Sequence, residues 1–127
     1  RFRMQDFGIP YGYSPVLFTT RAMLDAQQPT LRAFTAATRR GYLHAQQHPA
    51  EAAELIAPFL TPYDLQHNNM ETALNQYGYA FGNAETAGVM RPEVVSQFAQ
   101  WLISNQLESA DIAEVYTHWF SNDLLTA

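Results

Sequence analysis

Apolar and polar residues alternate through the opening Arg1-Phe2-Arg3-Met4-Gln5-Asp6-Phe7, with Phe2, Met4 and, less regularly, Phe7 forming the apolar set. A period of two predicts a half-buried strand. Gly8, Pro10, Gly12 and Pro15 then interrupt the chain within eight residues, so regular pairing cannot continue through this stretch. After them Val16-Leu17-Phe18-Thr19-Thr20 is a short, partly β-branched apolar run that predicts a second, buried strand. The first 20 residues therefore read as a β-hairpin whose turn presents Tyr11 and Tyr13.

From Thr20 onward the spacing is helical. Thr20 caps a short predicted helix through about residue 26, with Met23 and Leu24 inward. Pro29 suits a first helical position, and Leu31, Phe34, Ala37, Gly41 and Leu43 fall near one face of a long helix to about residue 47. Gly41 in mid-helix predicts close approach of another helix. Pro49 opens the next helix, to about residue 60, with Ala53, Ile56, Ala57 and Leu60 as its stripe. Thr61-Pro62-Tyr63-Asp64 is a start signal for a further helix to about residue 77. Residues 78–88, with three glycines, read as the longest loop. Pro92 begins a helix in which Val94, Val95, Phe98, Trp101, Leu102 and Asn105 recur at spacings of three and four. Residues 110–127, with Ile112, Val115, Tyr116, Trp119, Phe120 and Leu124, predict one or two helical turns and a tail.

The fold class read from this pattern is mainly α with a short N-terminal β-hairpin. A hairpin alone is marginal in water, so it needs the helices or a further sheet to cover it. The chain has 127 residues, room for one domain, and 47% hydrophobic residues, enough to form a core. It opens on arginine, inside the first predicted strand, and so reads as a piece of a longer protein.

Charge and composition exclude several functions. Twelve acids against seven basic residues leave a net charge of -5, and there is no clustered basic surface for a nucleic-acid backbone. All seven basic residues are arginine, so no Schiff-base chemistry resides in this chain. With no cysteine, thiolate nucleophiles, disulfides and cysteine-bound zinc are excluded too. No apolar run is long enough to span a membrane, and residues 1–8 do not form a signal-peptide block.

Among polar clusters, His44 and His48 are four apart, but Pro49 places His48 at a helix boundary, so solvated or capping roles are expected. Glu51 and Glu54, and Glu108, Asp111 and Glu114, lie at predicted helix starts, where carboxylates complement the helix dipole. Arg39 and Arg40 point to different sides of a helix and do not form an anion clamp. No metal site and no cofactor are expected. The aromatic run 76–81 reads as core or loop anchor. The proline-fixed turn Gly8-Ile9-Pro10-Tyr11-Gly12-Tyr13-Ser14-Pro15 differs in kind. It holds two phenolic rings near each other with glycine beside them, a surface suited to stacking on a flat heterocycle. Asp6, just before it, is placed to accept hydrogen bonds from a ring amine, while the alternative is a tyrosine pair packed at a strand end.

Taken in order, four motifs resemble the C-terminal part of a solute-binding protein, of the group that binds the pyrimidine precursor of thiamine and includes the yeast-type pyrimidine synthase. Asp6-Phe7-Gly8 with the aromatic turn and Val16-Leu17-Phe18 resembles the strand that returns through the family's hinge. Gln28-Pro29-Thr30-Leu31-Arg32-Ala33-Phe34 resembles an NPE-x-V-x-x-F helix start, and His48-Pro49-Ala50-Glu51-Ala52-Ala53 resembles an HPEEAA step. The run from Arg91-Pro92-Glu93 to Trp101-Leu102, followed by Thr117-His118-Trp119-Phe120, resembles the closing helix and terminal motif.

The resemblance implies a two-lobed α/β protein of the type II periplasmic-binding-protein kind, closing on its ligand by a hinge. This chain would be its last part, with residues 1–20 the hinge strand and hairpin and residues 21–127 the helical portion. It implies a non-catalytic, periplasmic or otherwise extracytoplasmic protein with an ABC permease and ATPase as partners and an aminopyrimidine-like ligand. Tyr11 and Tyr13, and less directly Asp6, take the cleft-side role. The synthase branch holds a cysteine-rich motif where this chain has Ile9-Pro10-Tyr11-Gly12-Tyr13. That departure favours uptake over pyrimidine synthesis, the cytoplasmic alternative. Nitrate- and alkanesulfonate-type binding proteins share several of the motifs and form a second alternative. A helical interaction module using Trp119 and Phe120 is a third. The chain by itself is expected to bury its hairpin by self-association.

Overall fold

The computed structural model describes residues 3–109 and 111–125, with Ala113, Tyr116 and Thr117 described by their backbone alone. The chain is mainly helical and divides into two compact units, one of Arg1–Gln28 with Val89–Ala127 and the other of Pro29–Gly88. The expected β-hairpin is not seen: among the described residues there is no strand. In its place Met4–Phe7 forms one 3-10 turn that closes at Gly8, whose N–H donates to Gln5 O at 3.1 Å. Arg1 and Phe2 of the expected first strand lie outside the described residues. Residues 16–20, the expected buried strand, have no regular structure and are exposed. Alternation supplies a strand only if a partner strand or sheet covers one face, and neither is present among the described residues.

In the first unit, Thr20 caps the start of α1 (Arg21–Gln47) as expected, its Oγ1 accepting from Met23 N at 3.1 Å. α1 carries one non-helical residue, Gln27 (φ -128°, ψ 26°), two positions before Pro29. Proline lacks the N–H that would continue the ladder and crowds the turn before it, so the helix breaks there. The unit resumes with α5 (Pro92–Ser104), opened by proline at its first position and burying Val94 and Ala99. α5 ends in a paired carbonyl cap: Gln106 N donates to Ile103 O at 3.0 Å and Leu107 N to Leu102 O at 2.9 Å. Gln106 sits at φ 57°, where glycine is usual. A short α6 (Ile112–Glu114) and a π-helical turn Val115–Trp119 follow, and Val115 is fully buried. The expected terminal stretch also includes Ala110, Thr126, Ala127 and the side chains of Tyr116 and Thr117, which lie outside the described residues. Asn122 ties the unit together, its amide donating to Met90 O at 2.8 Å and accepting from Met90 N at 3.0 Å.

In the second unit, the covered side of α1 is rotated from the expected stripe. Phe34 is 54% exposed and nothing lies within 4 Å of a Cβ built on Gly41. The close helix approach expected at Gly41 is therefore absent. The side carrying Arg39, Tyr42 and Gln46 is used instead. Arg39 donates to Ala84 O, Tyr42 meets Phe81 edge to face at 4.9 Å, and Gln46 Nε2 donates to Gly78 O at 2.8 Å. The run 76–81 thus anchors the loop through Phe81. The loop itself begins with a 3-10 turn, Gly78–Phe81, and is closed by Asn83, whose Oδ1 accepts from Glu85 N and Thr86 N. α2 (Pro49–Ile56) buries Ala52 and packs on α4 (Met70–Tyr77). The single helix expected over 61–77 is two, α3 (Pro62–His67) and α4. Asn68 and Asn69 divide them because their side chains bond locally, Asn68 Nδ2 to Asp64 Oδ1 at 3.1 Å and Asn69 Oδ1 from Thr72 N at 2.8 Å.

Candidate functional site

The turn between residues 8 and 15 lies in the first unit. Its two phenols do come together: the rings of Tyr11 and Tyr13 meet edge to face, centroids 5.6 Å apart and planes at 74°. That geometry sets the positive ring edge of one tyrosine against the negative face of the other. Tyr13 is half-buried and its hydroxyl accepts the Arg91 N–H at 2.9 Å, at the residue capping α5. Because a phenol also carries a proton, this hydroxyl can still donate to a ligand acceptor. Tyr11 is 53% exposed.

Gly12 sits between them on Phe98. A Cβ at this position would stand 3.1 Å from the Phe98 ring, so glycine lets the backbone lie directly on the aromatic face. Phe98 in turn is stacked on Trp101 at 6.1 Å. The tyrosine turn thus rests on an aromatic pair from α5 that sequence reasoning assigned only to a helix stripe. The signal for it was the spacing of three between Phe98 and Trp101; what pointed them at Gly12 was not local. Arg91 also faces Glu93 at 3.7 Å, both exposed.

Asp6 is exposed in the 3-10 turn, and no described contact joins it to Tyr11 or Tyr13. The other polar clusters are placed as follows. His44 and His48 lie with ring centroids 4.8 Å apart, and His44 Nε2 approaches Glu51 Oε2 at 3.5 Å. Among the described residues no group of three or more His, Cys, Asp or Glu side chains is positioned to hold a metal. His67 stacks on Tyr63 at 4.1 Å and its Nδ1 lies 2.9 Å from Tyr63 O. An open recess of about 610 Å³ in the second unit is lined by Glu54, Leu65, His67 and Asn68, among others. A smaller one of about 420 Å³ follows α5. Neither is lined by Tyr11, Tyr13 or Asp6.

A family model described as NMT1/THI5 like matches residues 1–52. The match takes in the 3-10 turn, the aromatic turn, α1 and the start of α2, and it supports that family for this part of the chain. No curated protein and no solved structure matches the chain. The match is compatible with a solute-binding or thiamine-precursor role. Among the described residues no helix is long and apolar enough to cross a membrane.

Proposed function

We propose that the chain is the C-terminal part of a two-lobed, non-catalytic solute-binding component of an ATP-driven importer, and that it contacts a small planar heterocycle of the aminopyrimidine type. On this reading Tyr11 stacks on the ring, the Tyr13 hydroxyl bonds its polar edge, and Asp6 accepts from a ring amine when the lobes close. The permease and ATPase of the importer are the partners, and the compartment is extracytoplasmic. The single observation that carries the reading is the edge-to-face pair of Tyr11 and Tyr13, braced by Arg91, within a turn that matches the family. The lack of cysteine in residues 9–13 favours binding over sacrificial pyrimidine synthesis.

The test is a thermal-shift series on the intact protein with the aminopyrimidine precursor of thiamine, an alkanesulfonate and nitrate. Ligand at about 100 times its Kd stabilises by about 2.7 kcal/mol, which moves the midpoint by several degrees. The aminopyrimidine is expected to give that shift, and Tyr11→Ala to abolish it. A shift produced by the sulfonate or nitrate, and not by the aminopyrimidine, replaces the substrate class. No shift with any of the three overturns the binding role.

A further inference from the structure

His48 belongs to two helices at once. Its N–H donates to His44 O at 2.8 Å and closes the last turn of α1, while its carbonyl accepts from Ala52 N at 2.9 Å and opens α2. Pro49 does put His48 at a helix boundary, as expected, yet the spacing of four survives. The proline removes only its own N–H, which a first helical position does not need. The rings of His44 and His48 come together, centroids 4.8 Å apart and planes at 37°. Three residues further, in the first turn of α2, Glu51 brings Oε2 to 3.5 Å from His44 Nε2. Steps of four and then three along consecutive turns keep the three side chains on one face.

Hydrogen bonding does not account for this arrangement. The His44–Glu51 separation of 3.5 Å lies beyond the ~2.7–3.2 Å of an ordinary N–H···O bond. His48 makes no side-chain cap bond, and among the described residues its ring nitrogens have no hydrogen-bond partner. Both separations match those of ligands that share one ion. Two imidazoles held at ~2.0–2.1 Å from a metal, with ligand angles of about 90–110°, place their ring centroids roughly 4.5–5.3 Å apart. An imidazole nitrogen and a carboxylate oxygen at the tetrahedral angle stand roughly 3.4 Å apart. As they stand the three side chains do not all converge on one point. All three are exposed, so one of them can take another staggered rotamer to complete the set.

We propose that His44, His48 and Glu51 bind a divalent transition-metal ion of the zinc class, and that the ion fastens the corner between α1 and α2. Two imidazoles and one carboxylate, with water in the fourth position, suit Zn²⁺ and its borderline neighbours. Mg²⁺ and Ca²⁺ seek six or more oxygen ligands and find one carboxylate here. The two helices are separated by His48 alone, so an ion held by both restrains the turn between them. Binding to the folded corner and not to the unfolded chain stabilises the unit that contains it. That unit, Pro29–Gly88, does not include the tyrosine turn, and the site does not depend on which solute the turn takes.

The chain has four histidines and no cysteine, so few donors compete for Zn²⁺ titrated alone into the full chain. Calorimetry is expected to show one ion bound per chain, and no binding of Mg²⁺. In nuclear magnetic resonance spectra the ring protons of His44 and His48 are expected to shift with Zn²⁺, and those of His67 and His118 to stay. His44→Gln, His48→Gln and Glu51→Gln are each expected to weaken binding at least about tenfold, while His67→Gln leaves it unchanged. Zn²⁺ is expected to raise the urea midpoint of the parent chain and not that of His48→Gln. Far-UV circular dichroism without the ion confirms that each variant keeps its helices. No binding at about 100 μM Zn²⁺ overturns the proposal. Undiminished affinity in any of the first three variants, ring shifts centred on His67 or His118, or equal binding of Mg²⁺ overturns it as well. An ion that binds without raising the midpoint overturns the fastening of the corner.

Discussion

The Tyr13 hydroxyl accepts the backbone N–H of Arg91 across 78 residues of sequence, at 2.9 Å. One bond thus couples the aromatic turn to the start of α5 within the same unit. Tyr13→Phe keeps the ring and removes only this link. It is expected to cost about 1 kcal/mol, the net worth of an ordinary hydrogen bond whose donor can turn to water. Both tryptophans, Trp101 and Trp119, belong to this unit, so their fluorescence in urea measures the loss.

Gly12→Ala acts on the same turn from below. Its Cβ would meet Phe98 at 3.1 Å, and the ring must shift or the turn must lift. The expected destabilisation is about 1–3 kcal/mol, the usual cost of overfilling a packed contact. The tryptophan signal should also change in the native state, because Phe98 lies against Trp101.

Two glycines of the second unit should respond in opposite directions. Gly41 lies in α1 with open space about it, so Gly41→Ala is expected to stabilise by about 1 kcal/mol through helix propensity alone. Gly82 has φ 83°, and a Cβ there would stand 2.8 Å from Thr86 Oγ1 and 3.0 Å from Ala87 N. Gly82→Ala is expected to cost about 1–3 kcal/mol from backbone strain. Urea unfolding followed by far-UV circular dichroism separates the two.

Asn122 binds both backbone groups of Met90, and the site is partly buried. Asn122→Ala leaves both unpaired and is expected to cost about 1–3 kcal/mol. Hydrogen exchange at the Met90 amide should accelerate in the variant; an unchanged rate would show that the amide is protected by something else.

Gln106 holds the left-handed position that ends α5. Gln106→Gly is expected to stabilise by about 1 kcal/mol, since glycine takes this conformation without crowding its own Cβ. A loss of stability would mean that the glutamine side chain contributes more than the backbone strain costs.

Local chemistry determined much of this molecule on its own. The cap at Thr20, the breaks at Pro29 and Pro49, and the start of α5 at Pro92 depend on hydroxyls and proline rings acting within one turn, and all are readable along the chain. So was the pairing of Tyr11 with Tyr13, two residues apart in a proline-fixed turn. Choices between partners distant in sequence were not readable. Alternation at the N-terminus promised strands, but a strand exists only where another chain segment completes its hydrogen bonds, and tertiary structure provided none among the described residues. The stripe on α1 was set by Ala84, Phe81 and Gly78 rather than by Phe34 and Gly41, because packing selects a face from contacts that periodicity cannot see. Tertiary structure alone likewise put Phe98 under Gly12 and Arg91 on Tyr13, bringing α5 to a turn it follows by almost 80 residues.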